Sequence, residues 1–372
     1  MNLKRIKFGK AESADFYSTL RERVNNYFVT NNISQKGDWR MVIKTIAMFL
    51  IYLIPFSLMF TGWFGPLGYI GLWLMMGVGV AGIGLSVMHD ANHGAYSHNE
   101  RVNDFVSHAI TFVGGYALNW RIQHNVLHHT YTNMDGHDED IHSLPFMRFS
   151  PNQPLYKAQR FQHIYAWFFY GLMTIFWVSF KDFGQLKRYD KKGLLKSQKT
   201  SLGIEVVKLA FQKIFYYAYI IGLPILFTDQ PGWVIASGFF LMHFVAGFIL
   251  SIVFQPAHVI NETVFPQSDD AGNIENTWAE HQLYTTANFA PNNRILSWYV
   301  GGLNYQVEHH LFPMICHVHY REISKIVKAT AKEFGLPYYS EETFTSALVN
   351  HAKMLKRLGN EPPVKIAAVL SK

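Results

Sequence analysis

What most restricts this chain is where its apolar residues sit. They form long blocks, each about as long as a bilayer's hydrocarbon core is thick, separated by polar links. The first two blocks run over 43–62 and 67–88, with a break at Gly62 to Pro66. Two more cover 209–228 and 232–256, joined by Thr228-Asp229-Gln230-Pro231-Gly232. A helix needs about 20 predominantly apolar residues to cross, so each block is long enough to span. Residues 104–118 are too short to span comfortably, whereas 162–180 are apolar enough to compete.

Charge settles the topology. The links at 61–66 and 228–232 carry no Lys or Arg, while 181–199 holds Lys181, Lys187, Arg188, Lys191, Lys192, Lys196 and Lys199. The N-terminal arm and the chain beyond 320 are also basic. Basic segments stay on the cytosolic side, so both termini and the middle segment are expected there. A spanning 162–180 would put the middle segment and the N-terminal half on opposite sides. The expected fold is therefore an all-α integral membrane protein with four transmembrane helices in two hairpins. Residues 104–118 and 162–180 become interfacial or re-entrant helices, and the cytosolic parts form a helical cap. Residues 1–40 are expected as a cytosolic amphipathic segment, with Phe16, Leu20, Val24 and Phe28 four apart. Residues 41–335 make the membrane domain and 336–372 a cytosolic tail. Lys213 lies one turn into the third block and is expected to snorkel to the interface.

A formal charge of +7 is compatible with nucleic acid, an anionic lipid surface, or an anionic substrate such as a coenzyme A thioester. No nucleic-acid motif is present and the lysines flank apolar runs, which selects the membrane readings. The single cysteine, Cys316, excludes an internal disulfide framework and a cysteine-based metal site. The first forty residues hold no short apolar stretch before a cleavage site, so no removable signal peptide is expected.

The 18 histidines are clustered. One box is His89-Asp90-Ala91-Asn92-His93, directly after the second block. Another is His124-Asn125-Val126-Leu127-His128-His129, and a third is Gln306-Val307-Glu308-His309-His310. His258 closes the fourth block. Residues three or four apart share a helix face, so His89 and His93 can grip one metal, as can His124 and His128. His129 points about 100° from His128 and suits a second metal. Doubled histidines at two sites are what a dinuclear centre requires. By the hairpin topology every box emerges on one side of the membrane. Imidazole serves iron, copper and zinc alike, so spacing leaves the metal open.

Other residues point less far. His243 lies mid-span, where a functional role and a simple interhelical hydrogen bond compete evenly. His281 reads as a loop residue rather than an extra ligand. The run Asp135, His137, Asp138, Glu139, Asp140, His142 reads as a solvated acidic loop. Asp90 is placed to orient a ligand histidine from behind.

The three boxes, in that order and between those blocks, resemble the histidine boxes of membrane fatty-acid desaturases, from about residue 40 to 335. The resemblance implies a di-iron centre with His89, His93, His124, His128, His129, His258, His309 and His310 as ligands. It implies O2 as co-substrate, with zinc able to replace iron in purified protein. Many members begin the third box with His, where this chain has Gln306, a weaker ligand. With Gly-Gly-Leu-Asn-Tyr before it and Leu-Phe-Pro after it, that box is similar to the front-end desaturases and bacterial linoleoyl-CoA desaturase-like proteins. Those insert a double bond between an existing one and the carboxyl end. No fused cytochrome b5 haem motif is seen, so a separate donor, a ferredoxin or cytochrome b5-like protein, is expected. The substrate is expected to be a fatty acyl-CoA or a phospholipid acyl chain. Arg121, Lys181 and Arg188 are candidate head-group contacts. The bacterial cytoplasmic membrane is expected rather than the endoplasmic reticulum. Hydroxylation on the same scaffold is the nearest alternative. A membrane metal transporter is the second, although transporters place their ligands near mid-membrane and only His243 fits that pattern.

Overall fold

The computed structural model describes residues 6–10, 15–142 and 145–364. Among these, helix dominates, and the one regular sheet is a short parallel pair of Ala287–Phe289 with Tyr339–Glu341. The chain divides into two compact units. One comprises Asp38–Ile122 and Trp167–Ile252; the other comprises the N-terminal arm up to Gly37, Gln123–Ala166 and the chain from Val253 onward.

Five helical stretches are long and apolar enough to cross a membrane: Trp39–Leu58, Pro66–Asn92, Lys157–Lys191, Leu202–Phe227 and Gly232–His258. The four expected blocks lie within or overlap four of them. The fifth contains 162–180, inside a continuous helical run of 35 residues. The stretch 104–118 is instead broken among three short helices, Glu100–Ser107, Ala109–Phe112 and Ala117–Arg121. Trp39–Leu58 shows how a spanning helix sorts its side chains. Met41, Met48 and Tyr52 are buried, while Val42, Ile43, Ile46, Leu50, Leu53 and Ile54 face outward. An apolar outer face of this extent is one that lipid covers.

Within this unit the helices cross closely where side chains are missing. A Cβ on Gly77 would stand 2.5 Å from the Met242 carbonyl oxygen, and one on Gly247 2.8 Å from the carbonyl oxygens of Tyr170 and Gly171. Small residues at such crossings let backbones pack in an apolar medium. His243 is buried and its Nε2 lies 2.7 Å from the Tyr216 hydroxyl, while the Thr174 hydroxyl donates to the His243 carbonyl at 2.6 Å. These are hydrogen bonds between helices, the simpler of its two readings.

Lys213 does not snorkel. The helix begins at Leu202, seven residues before the expected block, so Lys213 sits three turns in. Its ammonium donates to the Asp182 carboxylate and the Gly114 carbonyl, both at 2.6 Å. Asp182 is fully buried and also accepts from Trp177 Nε1 at 3.0 Å and Asn119 Nδ2 at 3.2 Å. The pair therefore ties together three helices rather than reaching for water.

In the second unit, Phe16–Thr30 is amphipathic as expected, capped by Asp15, whose carboxylate accepts from Ser18 N at 2.7 Å. Residues 1–5 and 11–14 of the expected segment, and 365–372 of the expected tail, lie outside the described residues. Phe16, Leu20, Val24 and Phe28 pack in one core with Ile323, Val327 and Ala331 of the helix Tyr320–Glu333. Val307 of the third histidine box and Leu311 directly after it belong to the same core. Each such side chain contributes about 1.5–3 kcal/mol by leaving water, so the box rests on a firm apolar base. The tail forms the helix Phe344–Leu358, held by the buried Arg148, whose guanidinium donates to the carbonyls of Leu358, Glu361 and Pro151.

Replacing Lys213 by Met should cost about 3–5 kcal/mol, because it strands a buried carboxylate. Thermal unfolding in detergent checks this, and adding Asp182→Asn to Lys213→Met should recover most of the loss. An unchanged single variant would mean that the pair anchors nothing.

Candidate metal centre

The first box grows from the helix Pro66–Gly82, which widens into a π-helical turn over Ile83–Met88 and returns to α at His89–Asn92. His89 and His93 share a face, with ring centroids 4.8 Å apart, and Trp120 stands edge-on to both at 5.5 and 5.8 Å. Asp90 is buried, with a carboxylate oxygen 3.7 Å from His89 Nδ1, too long for a hydrogen bond. These residues all belong to the first unit.

The second box departs from simple α-helix spacing. Ile122–His128 is a π-helix, whose i→i+5 hydrogen bonds set residue 129, not 128, one turn above 124. His124 therefore meets His129: their Nε2 atoms are 3.2 Å apart. His309 of the third box closes a triangle, with its Nε2 2.9 Å from that of His129 and 3.4 Å from that of His124. His128 turns to a different group. Its ring lies 4.8 Å from that of His258 and 4.9 Å from that of His310, and those two are 4.8 Å apart. One nitrogen from each of these three lies within 4.8 Å of the others. The triangles adjoin, with the rings of His129 and His310 stacked at 4.4 Å. Spacing alone paired His124 with His128; the widened turn pairs His124 with His129.

The chemistry of the donor set suits cations. Nitrogens bound about 2.0–2.1 Å from one ion stand about 3 Å apart, which matches the edges of the first triangle. Neutral imidazole carries one N–H, so three Nε2 atoms facing one another cannot all be satisfied by protons. In the second triangle, the Nε2 atoms of His128 and His258 are buried with no hydrogen-bond partner among the described residues. All six rings are at most 5% exposed, which leaves no room for solvent to solve the problem.

Each ring of the second triangle is held from behind at Nδ1. His128 Nδ1 lies 3.1 Å from both oxygens of Asp138, His258 Nδ1 3.2 Å from the Thr285 carbonyl, and His310 Nδ1 2.8 Å from Gln282 Oε1. In the first triangle, His309 Nδ1 lies 3.2 Å from the Tyr320 hydroxyl. Burial works against charge on His128, but the carboxylates of Asp138 and Asp140 outweigh it and bring the imidazole up to about 9. Asp138 thus corrects the reading of 135–142 as a solvated loop. It is buried and fixed by the backbone N–H groups of Asn133 and Asp140, each at 2.9 Å.

The third box is seated by residues that spacing did not single out. Asn288 accepts from Val307 N at 2.9 Å and donates to the Glu308 carboxylate at 2.8 Å, and the Tyr338 hydroxyl donates to Glu308 at 2.9 Å. Burial pushes the Glu308 carboxyl up, and these donors moderate the rise to about 7. Gln306 is buried, and its Nε2 has no hydrogen-bond partner among the described residues. His281 lies on a helix rather than a loop. Its Nε2 donates to the Thr132 carbonyl at 2.9 Å, and burial lowers the ring to about 4, so it is a neutral brace.

The three candidate head-group residues lie in the first unit. Arg121 stands 3.6 Å from Asp104, Lys181 is half-buried at the end of the π-turn Trp177–Lys181, and Arg188 is exposed two turns further along.

Comparison with known proteins bears on what such a centre does. The fatty acid desaturase profile matches residues 67–342. A protein of Synechocystis sp. named sn-1 linoleoyl-lipid 6-desaturase is 34% identical over 364 residues, covering 96% of this chain and 99% of its own. One of the same name from Arthrospira platensis is also 34% identical, covering 97% and 96%. An acyl-lipid (8-3)-desaturase of Physcomitrium patens is 32% identical, covering 95% of this chain and 74% of its own. A profile spanning most of the sequence, and relatives matching nearly end to end, show that this chain belongs to the fatty acid desaturase family.

Proposed function

We propose that this desaturase is of the front-end type, inserting a cis double bond between an existing one and the carboxyl end of a lipid-linked acyl chain. The observation that carries its chemistry is the pair of adjoining imidazole triangles, His124/His129/His309 and His128/His258/His310. His89 and His93 complete the proposed ligand set for two irons, with Gln306 as a weak partner and Asp90 behind His89. The end-to-end relatives carry names of lipid-linked linoleoyl desaturases, which favours a lipid ester over coenzyme A and position 6 as the first to examine.

When bound, two irons would supply the oxygen reduction and hydrogen abstraction that no side chain provides. The chain's own residues prepare the site. Asp138, the Thr285 carbonyl and Gln282 hold protons on Nδ1, which leaves Nε2 of His128, His258 and His310 as lone-pair donors. Burial of all six rings excludes water. The stoichiometry takes two hydrogens from adjacent methylenes, two electrons from a separate donor, a ferredoxin or cytochrome b5-like protein, and two protons from water, and O2 leaves as two waters.

We place both termini and the histidine boxes on the cytosolic side of a bacterial cytoplasmic membrane. The basic run 181–199 supports four spans, with Lys157–Lys191 at the interface. Arg121, Lys181 and Arg188 are then available to an anionic head group.

Expression in a host lacking such an enzyme, fed stearate, oleate and linoleate, tests the reading. Gas chromatography–mass spectrometry with double-bond localisation should show a new double bond on the carboxyl side of an existing one, absent with His309→Ala. New hydroxy acids would move the assignment to an oxygenase. No product from folded, iron-loaded protein with a working donor would turn it to metal transport.

Metal analysis of the purified protein should give two ions per chain. Chelation should lower the thermal unfolding midpoint, and Fe²⁺ or Zn²⁺ should restore it, since a ligand of the folded state stabilises it. A midpoint indifferent to chelation would mean that the triangles hold no metal.

A further inference from the structure

The helix Trp278–Thr285 belongs to no histidine box, yet one face of it touches all the boxes of the second unit. Trp278 Nε1 donates to the His129 carbonyl at 3.0 Å, and His281 Nε2 to the Thr132 carbonyl at 2.9 Å. Gln282 Oε1 accepts from His310 Nδ1 at 2.8 Å, and the Thr285 carbonyl faces His258 Nδ1 at 3.2 Å. Positions 278, 281, 282 and 285 are i, i+3, i+4 and i+7, a single helical stripe. A capping box of Thr277 and Glu280 fixes where that stripe begins.

Gln282 is the member of this stripe with a chemical choice to make. Its amide has two orientations, and they impose opposite tautomers on His310. With Oε1 toward the ring, His310 carries its proton on Nδ1 and offers Nε2 as a lone pair. With the amide turned over, Nδ1 must accept, and the proton moves to Nε2, where it faces His128 and His258 and blocks ligation. The observed orientation has a visible cost: Gln282 is fully buried and its Nε2 has no hydrogen-bond partner among the described residues. The Thr132 hydroxyl also faces the amide, 3.0 Å from Oε1 and 2.8 Å from the His128 carbonyl, with one proton to give to either. Given to Oε1, that proton favours the oxygen on that side as well.

We propose that Gln282 is a positioning residue that selects the Nε2-ligating tautomer of His310, acting from a helix that orients the whole triangle. This rests on the reading of His128, His258 and His310 as metal ligands. The acceptors behind the three rings then form a graded set: a carboxylate for His128, an amide for His310 and a backbone carbonyl for His258.

The test is titration of metal-free full-length protein in detergent with Co²⁺, followed by its visible absorption bands, for wild type, Gln282→Met and Gln282→Glu. Methionine keeps the volume and removes the acceptor; glutamate keeps an acceptor and adds charge. Wild type should bind two ions. Gln282→Met should bind one of them about 10–100-fold more weakly, whereas Gln282→Glu should bind both with shifted band positions. Two wild-type affinities in Gln282→Met would overturn the proposal. So would a Gln282→Glu that weakens as Met does, since shape rather than the acceptor would then matter. Should Gln282→Met fail to fold, the glutamate spectrum decides alone, shifted in support and unshifted against. Wild type that binds no pair of ions would instead defeat the ligand reading beneath it.

Discussion

The constraint on which the rest depends is electrostatic: six imidazoles turn their nitrogens toward one another in a volume closed to water. Lone pairs in that arrangement repel, and protons cannot reconcile three of them at once. Cations can. Much of the second unit reads as the apparatus that holds this unfavourable arrangement in place. Val307 and Leu311 lock the third box into the core built with Leu20 and Val24. Asn288 fixes its first turn, and the stripe from Trp278 to Thr285 meets the other boxes from behind. Buried polar networks of this kind are worth having only when every member finds a partner. Among the exceptions in the described residues are Nε2 of His128 and of His258, which a metal would take.

The π-helical turns explain how the chain changes direction at the chemistry. An α-helix through 122–129 would align His124 with His128 and leave His129 apart. One widened turn distributes the three between two triangles instead. A second such turn precedes His89, where a long apolar helix ends. Widened turns also occur at Trp177–Lys181 and Ala218–Gly222, away from the boxes, so it is the meeting of His124 with His129 that ties the turn at Ile122–His128 to ligand placement. Nothing in the residue types of Ile122–His128 demands the irregularity; it is imposed by what the side chains must reach.

That is also the boundary of what could be read in advance. The four apolar blocks, the amphipathic repeat of Phe16 to Phe28 and the histidine boxes are periodic or local signals, and composition along the chain carries them directly. The family follows from the same boxes. What could not be read were partners distant in sequence. Asp182 and Lys213 lie 31 residues apart, and each alone looks like an interfacial charge. Asp138 looked solvated because it sits among other acids, although its backbone turn drives it beneath His128. Gln282 and His310 are separated by 28 residues with no shared motif. The one legible hint was the Thr277–Glu280 capping box, followed by polar residues at helical spacing.

The scaffold that holds the rings also bears on which metal they take. Asp138, Gln282, Thr285 and Tyr320 orient their imidazoles through Nδ1, so the chain itself aims the donors. Prearranged nitrogen donors favour no single divalent metal by geometry alone, and affinity follows the general order in which zinc exceeds ferrous iron. Occupancy by iron would then come from supply and from the reaction's need for a redox-active ion, not from exclusion by the pocket. The arrangement leaves the protein with the tasks it can perform itself: keeping the donors dry and aimed. Chemistry at an unactivated methylene is left to whatever the triangles capture.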